Sequence, residues 1–211
     1  MHIQYLRVGR LETNCYIVCN DETKRCAVID PGADAARIID AVRRSGCAPD
    51  MILLTHGHFD HIGAVRELLA EFGCKLAAPK AELDFLNNPH RNLHSSMSGE
   101  DFVPFAPDIL FEDGDTVEAA GLSFKALHTP GHTPGSSCLL CDDVLFTGDT
   151  LFAGSAGRTD FPGGDPAAMR ASLRKLAMLA GNYQVLPGHG PFSTLEKERV
   201  ENPYLEGAAD A

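Results

Sequence analysis

The sequence predicts an α+β / α/β protein, a two-sheet sandwich flanked by helices. Three observations carry that expectation. Strand-type and helix-type segments alternate early in the chain, and strand-type runs dominate its middle. Four short apolar runs, spread over both halves, each end in a His or Asp next to a Gly, as if several strand ends met at one place. Finally, 211 residues at 44% hydrophobic can bury a sizeable core, and no low-complexity segment or long linker divides them. One domain spanning 1–211 is expected.

The elements follow in order. Strands are expected near 2–8, 14–19 and 26–30 from their β-branched and aromatic content. Residues 34–45 read as a helix, because Ile38, Ile39 and Val42 share one face and Gly46 stops it. The apolar run 51–54 comes next. Ile62, Val65, Leu69 and Phe72 then mark a second helix ending at Gly73. Asp60 and His61 would sit at its N-terminal end, where the helix dipole favours a carboxylate. The polar stretch 87–108, with His90, Arg91 and His94, reads as a surface loop, with a lid as the alternative. Strand runs are expected at 122–127, 136–141, 144–146 and 183–186. Asp165-Pro166 opens a third helix with Pro in its first turn, Met169, Leu173 and Leu176 as its buried stripe, and Gly181 as its end. Ser193 and Glu196 have capping-box spacing for a final helix.

Composition excludes several function classes. A formal charge of −11, from 18 basic against 29 acidic residues, argues against a nucleic-acid partner. No apolar run reaches membrane-spanning length, and the start Met1-His2-Ile3-Gln4 lacks the basic, apolar pattern of a signal peptide. Seven scattered Cys, an odd number, point to a reducing compartment, so a cytoplasmic location is expected. Cys138 and Cys141 lie three apart on one expected strand and so face opposite sides, which suits core packing rather than a redox pair. Cys15 sits in an apolar stretch and is not expected to be a nucleophile.

The chemistry concentrates at the ends of the apolar runs. After Leu53-Leu54 come Thr55-His56-Gly57-His58-Phe59-Asp60-His61, three imidazoles and a carboxylate in one short segment. Core packing has no use for that density, whereas Zn, Fe and Mn accept these donors. The run 122–127 leads to His132, Val144-Leu145-Phe146 leads to Asp149, and 183–186 leads to His189. A Gly precedes each of His58, His132, Asp149 and His189, and would permit a sharp turn that aims the side chain off its strand. The candidates are His56, His58, Asp60, His61, His132, Asp149 and His189. One catalytic Zn needs about three protein ligands, so this set suits two ions. Asp149 is the natural bridge, since a carboxylate offers two oxygens and an imidazole one lone pair.

These residues, His56-x-His58-x-Asp60-His61 with His132, Asp149 and His189, resemble the ligand set of the metallo-β-lactamase superfamily. Thr13-Asn14-Cys15-Tyr16, Val28-Ile29-Asp30-Pro31-Gly32, the 128–135 segment His-Thr-Pro-Gly-His-Thr-Pro-Gly, the 157–162 segment Gly-Arg-Thr-Asp-Phe-Pro and the 187–191 segment Pro-Gly-His-Gly-Pro extend the resemblance over nearly the whole chain. Within the superfamily the chain resembles the short, single-domain bacterial form of glyoxalase II (hydroxyacylglutathione hydrolase). The resemblance implies an αββα sandwich with two divalent ions, Zn first, Fe or Mn as alternatives. It implies His56, His58 and His132 on one ion, Asp60, His61 and His189 on the other, and Asp149 between them. Asp30 would be an acid that orients a ligand imidazole. Asp at 149, where β-lactamases of the superfamily often carry Cys nearby, argues against lactam chemistry.

The expected reaction is hydrolysis of a small thioester, of the S-2-hydroxyacylglutathione kind, by a metal-bridging hydroxide, with Asp60, His61 and Asp149 as the catalytic residues. A thiolate leaves without a strong general acid. That suits a chain whose nearest spare acid, His128, reads as a strand-end residue. Only 190–211 follow His189, whereas two-domain relatives carry a helical extension that grips glutathione. Glutathione recognition would then fall to other residues, and Arg158 is the candidate clamp, with a loop ion pair to Asp160 as the alternative. Two other classes stay open. One is a persulfide dioxygenase-like mono-iron oxygenase, suggested by Gly157-Arg158-Thr159-Asp160-Phe161. The other is a non-enzymatic, flavodiiron-like metal module. A hydrolase for another ester or lactone is the third possibility.

Overall fold

A computed structural model describes residues 1–99 and 101–205. Of the expected domain 1–211 and the expected loop or lid 87–108, residues 100 and 206–211 lie outside the described residues.

Two six-stranded sheets form the centre. The first takes β1 (His2–Val8), β2 (Thr13–Asn20), β3 (Arg25–Ile29), β4 (Ala48–Leu53), β5 (Lys75–Pro79) and β6 (Ile109–Phe111), in that order. Its first two pairings are antiparallel and its last three parallel. The parallel steps require crossovers, supplied by α1 (Ala35–Ser45), then by α2 (Phe59–Ile62) and α3 (Val65–Phe72). Between β5 and β6 run a 3₁₀ turn (Lys80–Glu82), α4 (Leu83–Asn87) and α5 (His94–Met97). The second sheet contains β7 (Thr116–Ala119), β8 (Leu122–His128), β9 (Ser137–Cys141), β10 (Val144–Gly148), β13 (Gln184–Pro187) and β14 (Ser193–Thr194), ordered β14-β13-β10-β9-β8-β7. The hairpin β11 (Leu151–Phe152) and β12 (Ser155–Ala156) and the helix α6 (Pro166–Ala177) lie between β10 and β13, and α7 (Leu195–Glu201) closes the described chain.

Side-chain alternation sorts the core into three layers. Tyr16, Val18, Ile29 and Leu53 point inward from the first sheet to meet Phe124, Ala126, Leu139 and Phe146 of the second. Cys15, Ile17, Cys19 and Val28 face outward under Ile38 and Val42 of α1 and Val65 and Leu68 of α3. Cys138, Leu145 and Val185 face outward under Met169, Leu173 and Leu176 of α6. The result is the expected αββα sandwich. Cys138 and Cys141 fall in different layers, as strand geometry requires. Among the described residues, no helix is long and apolar enough to cross a membrane.

Three helix boundaries differ from expectation. The helix expected from Ile62 to Phe72 is broken at Gly63-Ala64: Ala64 N–H bonds Pro31 O at 2.9 Å instead of continuing the ladder. Gly63 lies so close to the loop after β3 that a Cβ there would sit 2.3 Å from Gly32 O. Asp60 is therefore in a four-residue turn, not at the head of a long helix, and its position owes more to side-chain partners than to a helix dipole. The helix opened by Asp165 ends at Ala177, before Gly181, with Arg199 reaching across to the carbonyls of Ala177 and Gly181. The last helix is capped by Thr194, whose Oγ1 accepts from Lys197 N–H, while Ser193 instead donates to Glu198. The cap is shifted one residue from the expected Ser193–Glu196 box.

Candidate metal centre

Strand direction explains why the candidate ligands meet. β3 and β4 run parallel, so Asp30 and the segment 55–61 leave the first sheet at one edge. β8, β9 and β10 are successively antiparallel, and β13 is parallel to β10, so His132, Asp149 and His189 leave the second sheet at one edge as well. The two edges face each other, and all seven candidates converge.

They form two groups around Asp149. Ligand-type atoms of His56, His58 and His132 lie within 4.8 Å of one another, as do those of Asp60, His61 and His189. Asp149 Oδ2 lies 3.4 Å from His132 Nε2 and 3.6 Å from His189 Nε2, while Oδ1 lies 3.4 Å from His61 Nε2. Asp149 thus touches both groups. His56, His58, His61 and His132 are at most 3% exposed, so these are not solvated loop histidines.

Each ring's outer nitrogen has a fixed partner, with one exception. His56 Nδ1 meets Thr55 Oγ1 at 3.1 Å, and His61 Nδ1 meets Asp30 Oδ2 at 3.0 Å. His132 Nδ1 meets the Arg158 carbonyl at 2.8 Å, and His189 Nδ1 meets the Leu11 carbonyl at 3.0 Å. An imidazole that donates through Nδ1 presents a bare Nε2 lone pair. Four such Nε2 atoms point into the centre, and His56 Nε2 is buried there without a hydrogen bond, as is Asp149 Oδ1. His58 is the exception: its Nδ1 faces inward, 2.8 Å from His132 Nε2, and its outer Nε2 has no partner.

Asp30 holds more than one ligand. It accepts from Thr55 N–H at 2.8 Å and from Thr55 Oγ1 at 2.6 Å, besides its bond to His61. Thr13 Oγ1 donates to Asp60 Oδ2 at 3.0 Å, while Asn14 Nδ2 and Tyr16 OH both donate to Pro187 O, at 3.0 and 2.6 Å. The Thr13–Tyr16 motif therefore clamps the loop that carries His189. Of the four glycines, Gly131 and Gly148 take positive φ, 138° and 47°. Gly57 and Gly188 do not; at 188 a Cβ would strike Asp149 Oδ1 at 2.3 Å, so close approach rather than a sharp turn requires glycine there.

The electrostatics are those of a cation site. Burial, then the neighbouring His61, pushes His56 well below the ordinary imidazole value, and burial with His132 pushes His58 down to about 3. Both rings are neutral donors. Burial would also lower His61, but Asp149 and Asp60 outweigh it and hold His61 well above the usual value. Asp149 stays far below the carboxylate range despite burial, chiefly through His61. Asp149, buried, and Asp60, part-buried, thus create a field that favours positive charge. Inward-facing ring nitrogens, unpaired buried ligand atoms and one carboxylate shared by both groups fit a pair of divalent ions.

Above this floor opens a cavity of about 390 Å³, walled by Leu11, Phe59, Leu93, Met97, Phe152 and Phe161. Leu93 and Met97 come from the stretch expected as a loop or lid, which is tied down where Phe59 N–H bonds Asn92 O at 2.9 Å. Arg158 lies at the rim with both Nε and Nη2 on Asp160, each at 2.7 Å, and its guanidinium 3.9 Å above the Phe161 ring. His128 is not in this cavity; its Nε2 bonds Pro134 O at 2.8 Å. Cys15 is fully buried and burial pushes its thiol far up, consistent with packing rather than reactivity.

One residue escaped sequence reading altogether. Glu82, fully buried, accepts Gly57 N–H on Oε2 at 2.7 Å and Gly135 N–H on Oε1 at 2.6 Å. A lone Glu after a short strand carries no pattern that separates it from a solvated surface acid.

The comparisons agree with this geometry. The profile described as the metallo-beta-lactamase superfamily matches residues 8–189. A hydroxyacylglutathione hydrolase, GloC, of Haemophilus influenzae is 36% identical over 209 residues, covering 97% of this chain and 98% of its own. The structure described as BLEG-1 B3 metallo-beta-lactamase superposes with a TM-score of 0.91 at 37% identity, covering 98% of this chain and all of the other. That of TTHA1623 in a di-iron-bound form gives 0.85 at 36% identity, covering 96% and 100%. With its sandwich fold and its paired His/Asp groups, the chain belongs to the metallo-β-lactamase superfamily, as a metallo-hydrolase-type enzyme.

Proposed function

We propose that this chain hydrolyses small thioesters, S-2-hydroxyacylglutathione foremost, at a centre of two divalent ions. One observation carries the reading: two three-residue ligand groups share Asp149 on the floor of an apolar cavity. His56, His58 and His132 would hold one ion, and Asp60, His61 and His189 the other, with Asp149 between. Zn is the first expectation, Fe or Mn the alternatives; likeness to TTHA1623, described in a di-iron-bound form, supports iron. Such a pair, when bound, supplies a water acidified to near-neutral pH and polarises the scissile carbonyl.

The remaining work falls to the chain. Asp60, His61 and Asp149 are the catalytic assignment, since their side chains meet within 3.4 to 3.6 Å and concentrate the charge of the centre. Thr13 and Asp30 hold them in place. Leu11, Phe59, Phe152 and Phe161 exclude bulk water and receive the acyl group. A thiolate leaves without a strong acid, in keeping with the remote His128. Arg158 is assigned to the rim as a contact for an anionic substrate, through the guanidinium edge that Asp160 leaves free. The likeness to GloC supports the glutathione thioester, and all seven cysteines being free supports a cytoplasmic location. The partner is a small molecule, with neither nucleic acid nor membrane involved.

A second reading, β-lactam ring opening, is favoured by the likeness to BLEG-1, described as a B3 metallo-β-lactamase. The deciding experiment measures thiol release from a lactoylglutathione-type thioester, in parallel with hydrolysis of a chromogenic cephalosporin and oxygen uptake on a persulfide. Chelator-sensitive thiol release that His132→Ala abolishes is expected. Ring opening or oxygen uptake in its place, with no thiol released by the metal-loaded protein, would replace the thioesterase reading.

A further inference from the structure

We propose that Glu82 is a positioning residue for the three-histidine half of the centre, locking the two loops that carry His56, His58 and His132 without touching the ion. The proposal rests on the reading that those histidines hold a cation. Glu82 lies at the end of the 3₁₀ turn after β5 and is fully buried. Its carboxylate spans two loops from different sheets. Oε2 takes the N–H of Gly57, the residue between His56 and His58, and Oε1 takes the N–H of Gly135, three residues after His132. No other carboxylate joins these two loops among the described hydrogen bonds.

The lock matters most for His58. His56, His61, His132 and His189 are each fixed by a bond to the outer nitrogen, whereas His58 Nε2 has none. What fixes His58 is its backbone and its packing. The preceding peptide N–H is held by Glu82, and the ring meets Phe85 edge-on with centroids 5.8 Å apart. Phe85 lies on α4, directly after the turn that carries Glu82, so one segment, 80–87, supplies both restraints. The fit is close: a Cβ at Gly57 would lie 3.0 Å from Glu82 Oε2 and from Phe85 Cβ, and one at Gly135 would lie 2.6 Å from Oε1. Both glycines let the backbone reach the carboxylate.

Glu82→Gln is isosteric but offers one acceptor oxygen for two N–H donors. One loop must therefore lose its bond, and an amide N–H then faces a backbone N–H. Outer partners of metal ligands typically contribute 10–100-fold in affinity. The test titrates apo protein with Co²⁺ against a chromophoric chelator, with His58→Ala and His189→Ala marking which binding step belongs to which half. Glu82→Gln is expected to weaken the step lost in His58→Ala by roughly 10–100-fold and to leave the step lost in His189→Ala within about threefold. Thermal unfolding of the apo variants accompanies the titration. Unchanged affinity at both steps, or equal loss at both together with a lowered apo Tm, would make Glu82 a structural residue only. Should His58→Ala leave both steps intact, the metal reading itself fails, a result distinct from either outcome for Glu82.

Discussion

Replacing Asp30 by Asn should switch off both halves of the centre while sparing the fold. In the wild type Asp30 accepts at both oxygens, so each hydrogen-bond chain leaving it has one direction. His61 Nδ1–H donates to Oδ2, which makes Nε2 the nitrogen that gives up its proton to an ion. Thr55 Oγ1 also donates to Oδ2, and so accepts from His56 Nδ1–H, which leaves His56 Nε2 bare. One carboxylate thus sets the tautomers of two ligands, one in each half. Asn keeps Oδ1 for Thr55 N–H but puts an NH₂ in place of Oδ2. That NH₂ must donate, so His61 Nδ1 becomes an acceptor and its proton moves to Nε2. If Thr55 Oγ1 accepts from Asn, its hydroxyl donates to His56 Nδ1 and that proton moves likewise. Every hydrogen bond survives, the Thr55 N–H bond unchanged and those at the former Oδ2 reversed, so apo stability should fall by no more than about 3 kcal/mol, the cost of exchanging a charged for a neutral partner. Both inward nitrogens now carry hydrogen and cannot ligate. The expected loss is about 10–100-fold in affinity for each half, about 1.4–2.7 kcal/mol apiece. Competitive metal titration and apo thermal unfolding measure the two sides. Wild-type affinity at both steps would refute the tautomer argument, and a collapse of apo stability would show that Asp30 acts through folding.

Further outcomes follow from the same contacts. Asp60→Ala should lower kcat by several orders of magnitude while the protein stays folded, because outside the centre the fold loses only the buried Thr13 hydroxyl's bond, about 1 kcal/mol, the other contacts of Asp60 being those to the ligands His61 and His189; steady-state kinetics with a thermal melt checks both. Arg158→Ala should raise KM for an anionic glutathione thioester by about tenfold, the low end for one charged hydrogen bond because Asp160 already neutralises the guanidinium. An equal KM change on a neutral thioester would mean that Arg158 only supports Phe161 and its loop. For pH, burial tends to raise Asp113, but Lys175 at 2.6 Å and the His128 N–H outweigh it and hold the carboxyl below its usual range. The associated stabilisation is present above the unfolded carboxylate pKa of about 4 and fades as pH falls through the lower folded value. Lys175→Met should therefore lower Tm more at pH 7 than at pH 2, and an equal drop at both would contradict the assignment.

The candidate centre was legible because its residues are dense and chemically unusual. Three imidazoles and a carboxylate in 56–61 have no packing rationale, and the apolar runs before His132, Asp149 and His189 announced strand ends. The flanking helices 35–45 and 166–177 were legible from apolar spacing and from the Asp165-Pro166 start. What escaped reading depends on partners distant in sequence. The break at Gly63 follows from Pro31 and Gly32 pressing on it, and periodicity across Ile62 and Val65 cannot reveal that. The strand Lys75–Pro79 is short and Ala-rich, with little β propensity of its own; its place in the sheet comes from neighbours at 51–53 and 109–111. Glu82 was silent because its two donors, Gly57 N–H and Gly135 N–H, lie 25 and 53 residues away.

The central claim is a two-ion centre built by both sheets, and metal content tests it most directly. Apo protein reconstituted with Zn, desalted and measured by elemental analysis should hold about two ions per chain, and His189→Ala, whose Nε2 lies 3.2 Å from Asp60 Oδ2, should hold about one. A single ion in the wild type that His189→Ala leaves in place would contradict the account.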